Sequence, residues 1–355
     1  MMPDQYSVRA GMKASLPRLV ENYISTMAII GLVYLYYLNN PYFQGFFSST
    51  HVWPWFRIAD QDLFTYWVIG FAVLLPPYYA TLPDKLETKS RLVWRAIFQV
   101  GRRLPTDQER VAILATLVKA FFLPLMAAWL FANGAEFFQH AERFWRQQTF
   151  FVHGYWMLFN LILLIDVTFF TIAYAVEHPA LKNEIRSVEP TLLGWTVAIV
   201  CYPPFNGMTN EMLGWYSSDY PEISNIWLRS LSGGLMLLLM GFYLWATIAL
   251  NIKASNLTHR GIVTWGPYAI IRHPAYVAKN LAWWIGALPI FVMQYHRGIE
   301  QMLYAVFCVS AWTLIYYLRA VTEERHLGMD PDYQAYRKRV PGYVPAGLRA
   351  PFVRS

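Results

Sequence analysis

Charge is scarce in this chain. Only 14% of its 355 residues are Asp, Glu, Lys or Arg, against about 25% in soluble globular proteins, and the shortfall excludes an ordinary water-soluble domain. Cysteine is nearly absent too. Cys201 and Cys308 both fall in apolar segments, which argues against a disulfide framework, and neither has metal-site spacing. The Gly-x-Gly-x-x-Gly fingerprint of a soluble dinucleotide domain is missing, as are internal repeats and low-complexity tracts. Despite a net charge of +7, the basic residues form no tail and no aromatic-interleaved stripe, so nucleic acid is not an expected partner. No charged n-region with a short apolar core and cleavage site opens the chain, so its first apolar run is expected to be a retained span.

What the chain has instead is apolar length. Hydrophobic residues make up 56% of it and aromatic residues 17%, in successive runs near the roughly 20 residues that a spanning helix requires. The expected fold is an all-α, polytopic membrane helical bundle with eight spans, at about 20–38, 62–82, 111–132, 151–176, 191–206, 229–251, 276–294 and 299–319. The fifth is the shortest and ends in Pro203-Pro204, so a re-entrant segment is the alternative there. Pro76-Pro77 and Pro124 are expected to kink the second and third helices. With the N-terminus inside, the inner segments hold 22 Lys and Arg and the outer segments 5, a bias that places both termini in the cytoplasm. Leu86 to Arg110 is expected to be a solvated basic loop, with a membrane-surface amphipathic segment as the alternative. Glu136 to Gln148 reads as an outer amphipathic segment.

Polar residues concentrate in one stretch, Arg260-Gly261-Ile262-Val263-Thr264-Trp265-Gly266-Pro267-Tyr268-Ala269-Ile270-Ile271-Arg272-His273-Pro274-Ala275-Tyr276, followed farther on by Arg319-Ala320-Val321-Thr322-Glu323-Glu324-Arg325. Titratable groups between membrane spans are expensive and usually functional. A tight turn at Tyr295-His296-Arg297-Gly298 makes the last two spans a hairpin, which brings both stretches to one rim. Arg319 and Glu323, four residues apart, project from one helical face. Gly261 and Gly266-Pro267 permit a tight backbone path beside a ligand. Aromatic faces, a carboxylate, cations and backbone amides together suit a zwitterionic, aromatic-containing, positively charged cofactor.

The Gly-Pro-Tyr, His-Pro-x-Tyr and Arg-x-x-x-Glu-Glu pattern, closing with Asp332-Tyr333-x-x-Tyr336-x-x-x-Val340-Pro341, resembles the isoprenylcysteine carboxyl methyltransferase family and its relatives the phospholipid N-methyltransferases. The resemblance covers about residues 229–345 and divides the chain into a transmembrane region 1–228 of unassigned role, whose first 190 or so residues match no family, and a methyltransferase-like region 229–355. It implies an S-adenosyl-L-methionine cofactor in a cytoplasmic pocket and a membrane-lipid or prenylated acceptor entering from the bilayer. The implied cofactor contacts are Arg260, Gly261, Ile262, Val263, Tyr268, His273, Pro274, Ala275, Tyr276 and Glu323, with Lys253 near a further one. Arg319 is the implied acceptor-holding residue. A carboxylate acceptor needs no base; an amine would need one, with Glu323 or Glu324 nearest. No metal is implied. Where the family commonly has Gly after His-Pro-x-Tyr, this chain has Val277-Ala278, then Lys279 and Asn280; Lys279 is expected either to contact the acceptor or, more simply, to snorkel.

Ordinary readings stand beside these. His273 before Pro274 can serve as a cap, and Arg319 and Arg325 as inner-side anchors. Asp166 and Lys119, inside spans, mark either a polar path or a structural pair. Trp53, Trp55, Trp215, Trp283 and Trp284 read as interface belts. Asn256-Leu257-Thr258 matches a glycosylation sequon, discounted because the charge count places it inside. Competing functions are a membrane sterol or steroid reductase using NADPH, and a transporter or scaffold without catalysis.

Overall fold

A computed structural model describes residues 15–84 and 86–343. Five of the basic residues in the charge count, Arg9, Lys13, Lys85, Arg349 and Arg354, lie outside them, as do both termini and the last residues of the expected methyltransferase-like region. Among the described residues are seven helices long and apolar enough to cross a membrane. The architecture is that of a helical, multi-pass membrane protein.

The chain forms two compact units. The first holds the described residues up to Ala128, together with His178–Glu184. In it, α1 (Leu16–Asn39) and α3 (Asp60–Ala80) pack together, linked by the short α2 (Pro41–Phe46) and a hairpin of β1 (Thr50–Val52) and β2 (Arg57–Ala59). Asn40 caps α2 by accepting from the Tyr42 and Phe43 amides, and that cap seats Phe43 and Phe47 against Tyr37 and Phe64. α3 continues through Pro76-Pro77, and α5 (Asp107–Gln147) through Pro124.

The expected solvated loop at Leu86–Arg110 is instead built around a docked helix, α4 (Lys89–Phe98). Leu92, Val93 and Ala96 are buried at helical spacing, Trp94 Nε1 donates to the Ser25 carbonyl at 2.8 Å, and Thr26 bonds Ser90 at 2.6 Å. Apolar spacing beneath a basic face overrode the charge. The following helix opens with a capping box: Glu109 accepts from the Thr106 amide at 2.9 Å while its own amide donates to Thr106 Oγ1 at 3.3 Å. Glu136–Gln148 is no separate element up to Gln147, because α5 runs on through it.

The second unit holds Trp129–Glu177 and the described residues from Ile185 onward, so residues 229–343 belong to a larger body that includes α6 (Tyr155–Ala175). α6 packs on α9 (Ile226–Leu250), α9 on α10 (Pro274–Arg297), and α10 on α11 (Ile299–Leu327). The hairpin turn is at Gly298, whose φ of +146° glycine adopts most readily. β3 (Ser187–Val188) pairs antiparallel with β4 (Thr258–His259), which ties the end of the α6 connection to the loop after α9.

The fifth expected span, 191–206, is not one long helix. It folds as α7 (Leu192–Ile199), and α8 (Phe205–Met212) follows it. Their course along α11 is nonetheless long. At one end Arg325 donates to Glu189 at 2.6 Å; at the other the Tyr304 hydroxyl donates to the Met212 carbonyl at 3.4 Å, with Trp312 donating to Leu213 in between. On a helix rising 1.5 Å per residue that separation is about 30 Å. Gly286 makes room for the next stretch: a Cβ there would collide with the Ser218 carbonyl, while Ser217 Oγ donates to the Trp283 carbonyl at 2.6 Å.

Candidate functional site

The α9–α10 loop, Asn251 to His273, reaches the rim through two left-handed glycines, Gly261 at φ +97° and Gly266 at φ +63°, the latter packed against Trp245 and Ala249. The closing motif clamps it. α12 (Pro331–Arg339) presents Tyr336, whose hydroxyl donates to the Tyr268 carbonyl at 2.6 Å. The chain beyond it receives the Arg272 amide at Pro341 and the His273 amide at Gly342, and the Tyr343 ring stacks on His273 with centroids 5.2 Å apart.

The hairpin brings the two polar stretches together. Arg272 donates to both oxygens of Glu324, at 2.9 and 3.1 Å, and His273 Nε2 lies 2.9 Å from the same carboxylate. Glu324 is thereby a tie between loop and helix, which leaves Glu323 as the carboxylate facing the cavity. The Tyr276 hydroxyl donates to Glu323 Oε2 at 3.0 Å, and the His273 and Tyr276 rings lie parallel at 5.7 Å.

One turn farther into the helix, Arg319 is buried. Its guanidinium sits over the rings of Tyr316 (4.8 Å), Tyr276 (5.2 Å) and Tyr202 (6.0 Å), and Nη2 donates to Asn256 Oδ1 at 3.0 Å. The amide of the discounted sequon is thus a structural organiser. Asn256 Nδ2 in turn donates to the hydroxyls of Tyr174 and Tyr202.

These groups border a single open-mouthed cavity. Of the expected residues, Tyr268, His273, Ala275, Tyr276, Arg319 and Glu323 line it. Pro274 is fully buried as the first residue of α10, and Glu324 sits behind the wall. Lys253 and Arg260 to Val263 are not among the lining residues; Lys253 Nζ lies beside Gly261, and Arg260 is buried, which pushes its pKa down with Glu177 and Tyr174 opposing. Burial, then Glu323, pushes the Tyr268 phenol well up, so it stands as a neutral hydrogen-bonding group.

Several lining residues had no distinct sequence signal. Tyr202, Tyr243, Thr247 and Tyr316 read as span aromatics and fillers; only the break at Pro203-Pro204 hinted that Tyr202 occupies irregular backbone beside a cavity. Trp283 and Trp284, expected in an interface belt, pack between helices: Trp283 meets Trp215 and Tyr316 edge-on at 4.9 Å each, and Trp284 donates to Thr313 at 3.0 Å. Asp166 is held by the Tyr243 hydroxyl at 2.8 Å and the Thr247 hydroxyl at 2.5 Å. Among the described residues no cluster of three or more His, Cys, Asp or Glu is arranged to hold a metal.

The arrangement offers aromatic faces and a carboxylate at the rim, and below them a cation held on tyrosine rings. No protein-family model, no curated protein and no solved structure matches this chain.

Proposed function

We propose that this protein is an integral-membrane, S-adenosyl-L-methionine-dependent methyltransferase acting on a carboxylate or other nucleophile of a lipid or prenylated acceptor. The observation that carries the reading is the placement of Tyr276, Glu323 and Arg319 around one cavity, one helical turn separating the carboxylate from the buried cation. The cavity residues fit such a cofactor. Tyr268, His273 and Tyr276 offer aromatic surface, and Glu323 offers an anion to its ammonium group. When bound it supplies the methyl group and a sulfur that departs neutral.

The chain's own part is positional. Arg319 would hold and orient an acceptor carboxylate through paired hydrogen bonds. A carboxylate acceptor would need no base, so no side chain of the cavity would have to take up a proton. Tyr202, Tyr276 and Tyr316 keep water away from the displaced charge, so alignment and desolvation contribute most of the effect.

In this reading the rim is cytoplasmic, and Leu192–Met212 is an eighth, broken crossing. Its roughly 30 Å course beside α11 matches the thickness of a bilayer core, and it returns the chain to the far side before α9. The test is direct binding of S-adenosyl-L-methionine to purified protein, with transfer of a labelled methyl group into membrane lipid extract and mass identification of the product. Glu323→Ala is expected to abolish cofactor binding. Binding of a reduced nicotinamide in place of the methyl donor would overturn the proposal.

A further inference from the structure

Glu189 follows β3 and lines the cavity, yet only 2% of it is exposed. Its backbone is pinned on both sides, the amide donating to the Leu257 carbonyl at 2.8 Å and the carbonyl accepting from the Trp195 indole at 2.8 Å. The carboxylate is divided. Oε1 accepts from Arg325 at 2.6 Å, from the Thr191 amide at 3.1 Å and from the Thr191 hydroxyl. Oε2 is buried and has no hydrogen-bond partner among the described residues. Gly194 supplies the space, since a Cβ there would collide with the Glu189 side chain.

A buried acceptor without a donor costs about 1–3 kcal/mol, a cost that a ligand in the cavity can offset. The missing donor is neutral, because Arg325 already balances the charge. His326, the other titratable group acting on Glu189, keeps its Nε2 at 2.8 Å from Ser187 Oγ. The charge of Lys279 is also met by the chain: it stands over the Tyr243 and Trp283 rings instead of snorkelling, with the buried carboxylates of Asp166 and Asp219 acting on it. A hydroxyl is the neutral donor that fits a lone acceptor, whereas an adenine edge presents a donor beside an acceptor and needs a matching pair. Arg325 and His326 lie beyond Glu323 on α11, and Arg319 lies a turn before it. Glu189 therefore stands at the rim assigned to the cofactor, away from the acceptor end.

We propose that Glu189 Oε2 accepts a hydrogen bond from a ribose hydroxyl of the cofactor, which makes Glu189 a cofactor-binding residue outside the region of the family resemblance. This rests on the methyltransferase reading.

The test uses the full chain in neutral detergent and titrates S-adenosyl-L-homocysteine, its 2′-deoxy and 3′-deoxy analogues, and monoolein, a lipid with hydroxyls of its own. In wild type one deoxy analogue is expected to bind about tenfold weaker than the parent, the worth of a hydrogen bond to a charged group. Glu189→Ala should bring the parent down to that analogue and leave the analogue where it was. Gly194→Ala, which displaces the carboxylate without removing it, should act in the same direction, and together with the wild-type comparison it decides the matter even if Glu189→Ala fails to fold. Equal binding of all three nucleosides by wild type overturns the proposal, as does an equal loss for all three in Glu189→Ala, the mark of a structural role. Monoolein binding that weakens in Glu189→Ala while the nucleosides hold overturns it as well, by assigning the hydroxyl to the lipid. Failure of wild type to bind S-adenosyl-L-homocysteine at all is a separate outcome, which would sink the methyltransferase reading and the ribose assignment with it.

Discussion

The two units treat buried charge in opposite ways. In the first, Glu109 has no exposed surface, yet Arg95 and Arg103 approach it at 2.8 and 2.7 Å and the Thr106 amide completes the shell. In the second, Arg319 is also buried but rests on tyrosine rings and one amide oxygen. A charge whose partners are all supplied by the chain holds a fold together. A charge left for a ligand to complete is a binding group, because leaving it bare is costly. The contrast recurs within the second unit, where Glu324 is fully tied and Glu323, its neighbour, faces the cavity.

The sharpest way to break the comparison is at Arg319. Arg319→Ala is expected to lower kcat/KM for the acceptor by roughly 100-fold, the upper end for a charged hydrogen-bonding group, while cofactor affinity is spared. Loss of cofactor binding in that variant would make Arg319 part of the other subsite.

The complementary substitutions are at the two satisfied carboxylates. Glu324→Gln removes the anion shared by Arg272 and His273, and it should cost about 2–3 kcal/mol of stability, less than a deeply buried pair because the group is partly accessible. Glu109→Gln should also lower the thermal midpoint, since two arginines lose their common anion. Neither should change cofactor affinity in the surviving folded protein. A fall in cofactor affinity with Glu109→Gln, at unchanged stability, would erase the distinction between structural and binding charge.

The smallest effect concerns His259 on β4, whose Nε2 lies 3.4 Å from Asp330. Burial lowers its pKa and Asp330 opposes the shift. A folded-state pKa below the unfolded one means the stability contribution is complete above about pH 6.5 and is lost as pH falls through the folded value. His259→Gln should therefore flatten the acid side of a thermal-stability profile by a few degrees. An unchanged profile would show that protonation of His259 does not limit acid stability.

Much of the frame was legible residue by residue. Apolar run length marked all seven long helices, and Gly298 marked the hairpin. Helical spacing in Arg319–Glu323 placed the cation and the carboxylate on one face. Leu192–Met212 was less legible, since each half is shorter than a span and its path depends on Trp312 and Tyr304 in another helix. α4 was misread because Lys89, Arg91 and Arg95 pointed to water, although Leu92, Val93 and Ala96 decide where it docks. Neither the break beside Tyr202 nor the sequon at Asn256 pointed to a contact with Arg319; that role exists only once Arg319 is beside them.

By itself, then, the sequence determined that the chain is a helical membrane protein and that one hairpin brings Tyr276 and Glu323 to the same rim. Both follow from local properties, the transfer of apolar runs out of water and the geometry of a short turn. Only the tertiary structure decided which charges are satisfied and which are not. Partnership is a non-local property: Glu324 finds Arg272 across 52 positions of chain, while Arg319 meets tyrosine rings and the Asn256 amide oxygen, and nothing in either residue's own neighbourhood distinguishes the two outcomes.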